Sequence, residues 1–108
     1  MMKHNDGISL VLIELSRRGC MAWRQEAGLF YDNRGGAHRI GVEGQADIIG
    51  VTKDGRAIAV EIKVGRDTLK PHQAAWAAAF SAHNGIHLVV RPDREGWEAD
   101  LWNHTDTQ

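Results

Sequence analysis

One cysteine, Cys20, and two prolines, Pro71 and Pro92, are all that this chain of 108 residues carries of either type. A single thiol forms no internal disulfide and leaves no thiolate cluster for zinc, so the core alone has to hold the fold, as in a reducing compartment. No apolar run approaches the roughly 18 to 20 residues that cross a bilayer. The opening Met1-Met2-Lys3-His4-Asn5-Asp6-Gly7 also lacks the apolar stretch of an export signal. These absences disfavour a membrane or exported protein and make the cytoplasm the expected location. A dominant charge sign is missing too, since 13 Lys and Arg face 14 Asp and Glu. The near-zero sum hides an asymmetry: residues 17–39 hold five Arg and two acids, +3, whereas 92–108 hold one Arg and five acids, −4.

What is present is the balance of an ordinary globular domain, 43% hydrophobic and 25% charged, read as a single unit over 1–108 with a polar tail at 103–108. A domain of this length buries about two-thirds of its unfolded surface, so association with a second copy would add stability. Ile8, Val11, Leu12 and Leu15 recur at helical spacing, which predicts an amphipathic helix over 7–18 with Asp6 as its cap and Gly19 as its left-handed stop. A short strand is expected at 20–24, and 29–31 and 39–42 bracket a turn-rich tip, Asp32-Asn33-Arg34-Gly35-Gly36. Residues 46–52 and 56–64 are rich in Ile and Val and flank Lys53-Asp54-Gly55, the pattern of a hairpin. Pro71 opens a second helix over about 71–83 that Asn84-Gly85 ends, and 86–90 is a buried-strand pattern. Residues 97–102 are assigned to a further edge element. The order α-β-β-β-α-β predicts an α/β fold, a mixed β-sheet flanked by helices.

Within 57–64 the side chains alternate, so Ile58, Val60, Ile62 and Val64 face one way while Ala57, Ala59, Glu61 and Lys63 face the other. Charged groups on so apolar a strand carry a desolvation cost, and the small alanines leave open space beside them. A three-residue loop with Gly55 left-handed places Asp47 directly across from Glu61, with Cβ atoms about 5 Å apart. A two-residue loop instead pairs Asp47 with Ile62 and sends the carboxylates to opposite faces. In the first register the two carboxylates repel unless a cation lies between them, and carboxylate oxygens are what Mg²⁺ or Mn²⁺ prefers. Lys63 emerges on the same face, and Glu14, on the first helix, is a candidate further or water-mediated ligand. Gln73, in the first turn of the second helix, faces the sheet beside Glu61 and Lys63.

Other residues carry weaker signals. The six histidines form no ligand set and are read as incidental surface groups. Trp23, Trp76, Trp97 and Trp102 are read chiefly as core or interface, with base stacking a lesser reading. Arg17, Arg18, Arg24, Arg34 and Arg39 form either a phosphate-tracking surface or solubilising charge.

Gly44-Gln45-Ala46-Asp47, Glu61-Ile62-Lys63 and Leu69-Lys70-Pro71-His72-Gln73 together resemble the PD-(D/E)XK nuclease superfamily and, within it, the VRR-NUC family in its stand-alone, phage-type form. The likeness is strongest over 41–90, and Ala46 stands where the motif has its proline. The resemblance implies a restriction-endonuclease-like fold in which Asp47, Glu61 and the backbone carbonyl of Ile62 bind Mg²⁺ or Mn²⁺. Lys63 matches the catalytic lysine, Glu14 the helix acid and Gln73 the characteristic glutamine; Asp47, Glu61, Lys63 and Gln73 are thus the expected catalytic set. It further implies a homodimer that cuts branched DNA such as Holliday junctions by metal-activated water attack, leaving 5′-phosphate and 3′-hydroxyl ends, in a bacterial or phage-infected cell. Arg66 and Lys70 join the arginines above as expected DNA contacts. The alternatives are a non-catalytic DNA-binding or assembly module, and a restriction-type or flap nuclease.

Overall fold

The computed structural model describes residues 1–25 and 28–105 and contains, in chain order, α1 (His4–Arg17), β1 (Met21–Arg24), β2 (Gly28–Tyr31), β3 (Ala37–Ile40), β4 (Ile48–Val51), β5 (Ala57–Ile62), α2 (Pro71–Ala82), β6 (Ile86–Val90) and α3 (Glu98–Thr105). The fold is α/β, with a mixed sheet in the order β1-β4-β5-β6. Its first three strands are antiparallel and β6 runs parallel to β5, the two being joined by the α2 crossover. The β2–β3 hairpin forms a separate two-stranded sheet around the turn-rich tip. Among the described residues no helix is long and apolar enough to cross a membrane.

α1 buries Ile8, Val11 and Leu15, as their spacing requires, but it begins a turn earlier than the sequence suggests. Lys3, in extended conformation and without a side-chain cap, is the N-cap, and Asp6 lies inside the first turn, where an acid still favours the helix dipole. Packing explains the longer helix. A Cβ on Gly7 would stand 2.7 Å from Pro92 Cγ and 3.2 Å from Ile62 Cγ2, so the first turn lies against the end of β5 at a distance that only glycine permits. At the other end Gly19, at φ +81°, closes a Schellman motif: Cys20 N–H donates to Leu15 O (3.0 Å) and Gly19 N–H to Ser16 O (3.0 Å).

The β4–β5 hairpin adopts the register with Asp47 opposite Glu61. Ile48 pairs with Val60 and Val51 with Ala57, and the loop closes with Thr52 N–H donating to Arg56 O (2.8 Å) and Gly55 at φ +90°. The sheet therefore has two distinct faces. Ile48, Ile58, Val60, Ile62, Ile86, Leu88 and Val90 form the core with α1 and with Leu101 of α3. The opposite face carries Ala59, Glu61 and His87 and is covered in part by α2, whose Trp76 stacks on Phe80 (4.9 Å) and meets His87 edge-on (6.0 Å). Asn84 at φ 68° ends α2, and a Cβ on Gly85 would fall 2.3 Å from the Phe80 ring.

The edge element expected over 97–102 is instead a turn residue, Trp97, followed by the start of α3 at Glu98. The tryptophans there suit a strand, but Gly96 at φ +81° breaks the chain direction, Glu98 and Asp100 favour a helix start, and a helix delivers Leu101 to the core.

Candidate metal and phosphodiester site

Asp47 immediately precedes β4, Glu61 lies near the end of β5 and Lys63 just beyond it; the N-terminal turns of both α1 and α2 point at this junction. Glu61 and Lys63 are each 2% exposed, so both charged groups are taken almost fully out of water. Asp47 Oδ2 accepts the Ile62 backbone N–H (2.8 Å), which fixes its carboxylate against β5. Gln73 ties the site to α2. Its Oε1 accepts from Lys63 Nζ (2.9 Å) and from the Lys70 backbone N–H (2.9 Å), and its Nε2 donates to Glu61 Oε1 at 3.4 Å. One side chain thus caps α2 and fixes the spacing of the acid and the lysine.

Electrostatics follow from this burial. Burial first, then the negative charge of Asp47 and a hydrogen bond with it, push the Glu61 carboxyl up to about 8 from 4.5, with Lys63 opposing. Glu61 Oε2 is buried with no hydrogen-bond partner. As a carboxylate it faces Asp47 with no donor; protonated, it can share its proton with Asp47. Lys63 Nζ also lies 3.5 Å from Asp67 Oδ2, and Lys63 is the main influence holding Asp67 below the ordinary carboxylate range. Sequence reasoning passed over Asp67, although it follows Lys63 by only four positions, in the turn that leads to α2.

It also passed over His4. Set aside as an incidental surface group, His4 places Nε2 3.0 Å from Ile62 O and 3.3 Å from Asp47 Oδ2, touching two of the oxygens expected to bind metal. Local pattern gives no hint of a contact between residues 58 positions apart.

Glu14 is not brought to the cluster. It lies ten residues along α1 from His4, about 15 Å of helix rise, and pairs with Arg18 at 3.8 Å. The tight seat of Gly7 on Ile62 and Pro92 puts the start of α1, not its middle, at the strand ends.

The basic residues divide in the same way. The Arg18 side chain is 2% exposed, which removes it from any phosphate-tracking surface, and Arg17 shares its end of α1, away from the site. Arg24 donates to Asn5 Oδ1 (2.7 Å), and Arg34 is exposed in the tip between β2 and β3. The Arg39 side chain lies outside the described residues. Arg66 and Lys70 are exposed on the segment between Lys63 and Gln73, and Lys70 Nζ lies 3.5 Å from Asp67. Trp23, at 44% exposure, lies on a solvent-facing part of the sheet rather than in the core.

Comparison of the chain with protein-family models, with curated proteins and with solved structures finds no match. Among the described residues no three His, Cys, Asp or Glu side chains converge as a metal cage. The donors present nevertheless fit a hard divalent cation. Asp47 lies opposite Glu61 in the hairpin register, one Glu61 oxygen is buried with no hydrogen-bond partner, and the Ile62 carbonyl belongs to the residue whose N–H holds Asp47, with water left to complete the coordination.

Proposed function

We propose that the chain is a Mg²⁺- or Mn²⁺-dependent endodeoxyribonuclease, a phosphodiester hydrolase of the PD-(D/E)XK type that acts as a homodimer on branched DNA in a bacterial or phage-infected cytoplasm. The observation that carries this reading is the buried Glu61 carboxyl, partnerless at Oε2, set beside Asp47 and next to a buried lysine held by Gln73. A fold gains no stability from such a cluster alone: the acids repel and both charges are desolvated.

Asp47, Glu61 and Ile62 O would hold the cation, which when bound supplies Lewis-acid polarisation and a more acidic water. Lys63 presents its ammonium to the non-bridging phosphate oxygen or to the attacking water, where negative charge develops. Gln73 keeps that ammonium from collapsing onto Glu61 by accepting from it at 2.9 Å. Water oxygen bonds to phosphorus as the bond to O3′ breaks, which leaves a 5′-phosphate and a 3′-hydroxyl. Arg66 and Lys70, on the segment beside the site, would hold the flanking backbone.

The test is a nicking assay on a four-way junction, a flap and plain duplex with Mg²⁺ or Mn²⁺. Metal-dependent cutting that prefers the junction and is lost in Lys63→Ala is expected. Equal cutting by variant and wild type would overturn the assignment, and junction binding without cleavage would indicate a binding module instead.

A further inference from the structure

Apart from the carboxylate pair, a cavity of about 420 Å³ opens where β6 turns into α3, and Arg91 forms part of its wall. The sheet fixes its place. Val89 pairs with Glu61, and Val90 O accepts the Lys63 N–H at 3.0 Å. Val89 and Arg91, two residues apart, therefore leave β6 on the face that carries Glu61, one strand over. Arg91 is partly buried, and its Nη1 is fully enclosed with no hydrogen-bond partner among the described residues. A guanidinium nitrogen taken out of water without an acceptor is costly, and the cavity beside it has room for one. The remaining walls narrow the choice of ligand. Trp97 supplies a ring and Val89 an apolar patch. Gly96, at φ +81°, has nothing within 4 Å of where a Cβ would stand, so the backbone leaves space there. Asp100 N–H donates to Trp97 O (3.2 Å), which puts Asp100 one helical turn past the ring. Arg91 and Arg94 share the wall with two acids, Glu95 and Asp100. A bare phosphate gains nothing from Trp97 and meets both carboxylates. A flat, neutral ligand with acceptors on one edge and donors on another matches the set, and the volume lies within the range of about 300 to 1,000 Å³ of small-molecule sites.

We infer that this cavity is a pocket for an unstacked guanine base, which lies on Trp97, accepts from Arg91 at O6 and N7, and donates from N1–H and the N2 amino group to Asp100. Guanine fits because its O6 and N7 match the guanidinium fork while its other edge carries donors. Adenine turns its N6 amino donor towards the fork in place of O6, and a pyrimidine covers less of the ring. The inference rests on the nuclease reading for the source of the base, an unpaired nucleotide of the strand that passes Glu61 and Lys63, and it gives that reading a base preference beside the cut.

The experiment is titration of the intact protein, without metal, by dGMP, dAMP, dCMP and inorganic phosphate, read by calorimetry and by tryptophan fluorescence. Wild type is expected to bind dGMP about 10-fold or more tightly than dAMP or dCMP, with quenching of fluorescence, and to give no heat with phosphate at the same concentrations. Trp97→Phe keeps a ring and should still bind dGMP but lose most of the quench. Arg91→Lys retains the charge without the fork and should weaken dGMP about 10-fold. Asp100→Asn, at an exposed position, should erase the preference for dGMP over dAMP. Circular dichroism establishes that each variant is folded. Equal affinity for dGMP and dAMP, phosphate bound as tightly as dGMP, or dGMP affinity unchanged in both Arg91→Lys and Asp100→Asn would overturn the pocket. Metal-dependent junction cutting by a wild type that binds no dGMP removes the pocket alone, whereas selective dGMP binding by a wild type that cuts nothing removes the nuclease reading and keeps the pocket.

Discussion

At the residue scale the site is defined by what each buried charge has been given as a partner. Glu61 holds its proton up to about pH 8 in the folded chain and releases it near 4.5 when unfolded, so between those values the native state binds the additional proton. Stability of the metal-free protein therefore falls as pH rises from about 4.5 to about 8. Thermal melts across that range should show the decline, and Glu61→Gln, which stays neutral, should flatten it. Added Mn²⁺ should raise the melting temperature most at the alkaline end, where the carboxyl no longer has to surrender a proton. Gln73→Ala leaves the Lys70 N–H and one contact of Lys63 Nζ unmet; with Asp67 still 3.5 Å from that ammonium, the expected loss is about 1 to 3 kcal/mol by urea unfolding. Lys63→Met should lower the nicking rate by about 10²-fold or more while leaving Mn²⁺ binding in place, since Lys63 acts on developing charge and not on the ion. The sequence pointed to Glu61 and Lys63 by alternation along a strand, to Gln73 by its place in the first turn of a helix, and to Asp47 only with the three-residue loop, one of the two lengths it left open. It did not point to His4 or Asp67, whose roles come from long-range contact or from the geometry of an irregular turn.

Elements show where local rules are decisive and where packing overrides them. The hairpin was legible because Gly55 supplies the left-handed position the loop needs and the Ile and Val pattern permits only one buried face. α2 was legible from its ends, Pro71 at the start and Asn84-Gly85 at the stop. The start of α1 was not, since Asp6 is the better capping residue and only the approach of Gly7 to Ile62 and Pro92 explains a helix that continues past it. α3 was hidden by Trp97, just before it, and Trp102 within it, which together suit a strand. Gly7→Ala should therefore cost about 1 to 3 kcal/mol in denaturant unfolding, because its Cβ would lie 2.7 Å from Pro92 Cγ.

Over the whole molecule the helices and sheet have separate duties. α1 and α3 close the core face, while α2 covers part of the other and leaves Asp47 reachable from the sheet end. The acidic 92–108 stretch and the basic 17–39 stretch make the charge distribution along the chain uneven, and among the described residues Arg66 and Lys70 are exposed on the segment between Lys63 and Gln73. Substituting each by alanine should weaken DNA binding evenly across sequences and reduce the dependence of log affinity on log salt by about one unit for each phosphate contact removed. Fluorescence anisotropy at several ionic strengths measures both effects.

The loop at Lys53-Asp54-Gly55 sits about 20 Å of strand away from the carboxylates it aligns. It acts as a register gauge: chemistry at one end of the hairpin tolerates other side chains at Lys53 and Asp54 but not the loss of Gly55, whose φ of +90° lets the loop close beneath Thr52 and Arg56. Asp54→Asn should be silent in a cleavage assay, whereas Gly55→Val forces a β-branched residue into a left-handed position and should lower both hairpin stability and cleavage. Over generations, drift in this gene should be free to respell Lys53 and Asp54 but barred from replacing Gly55.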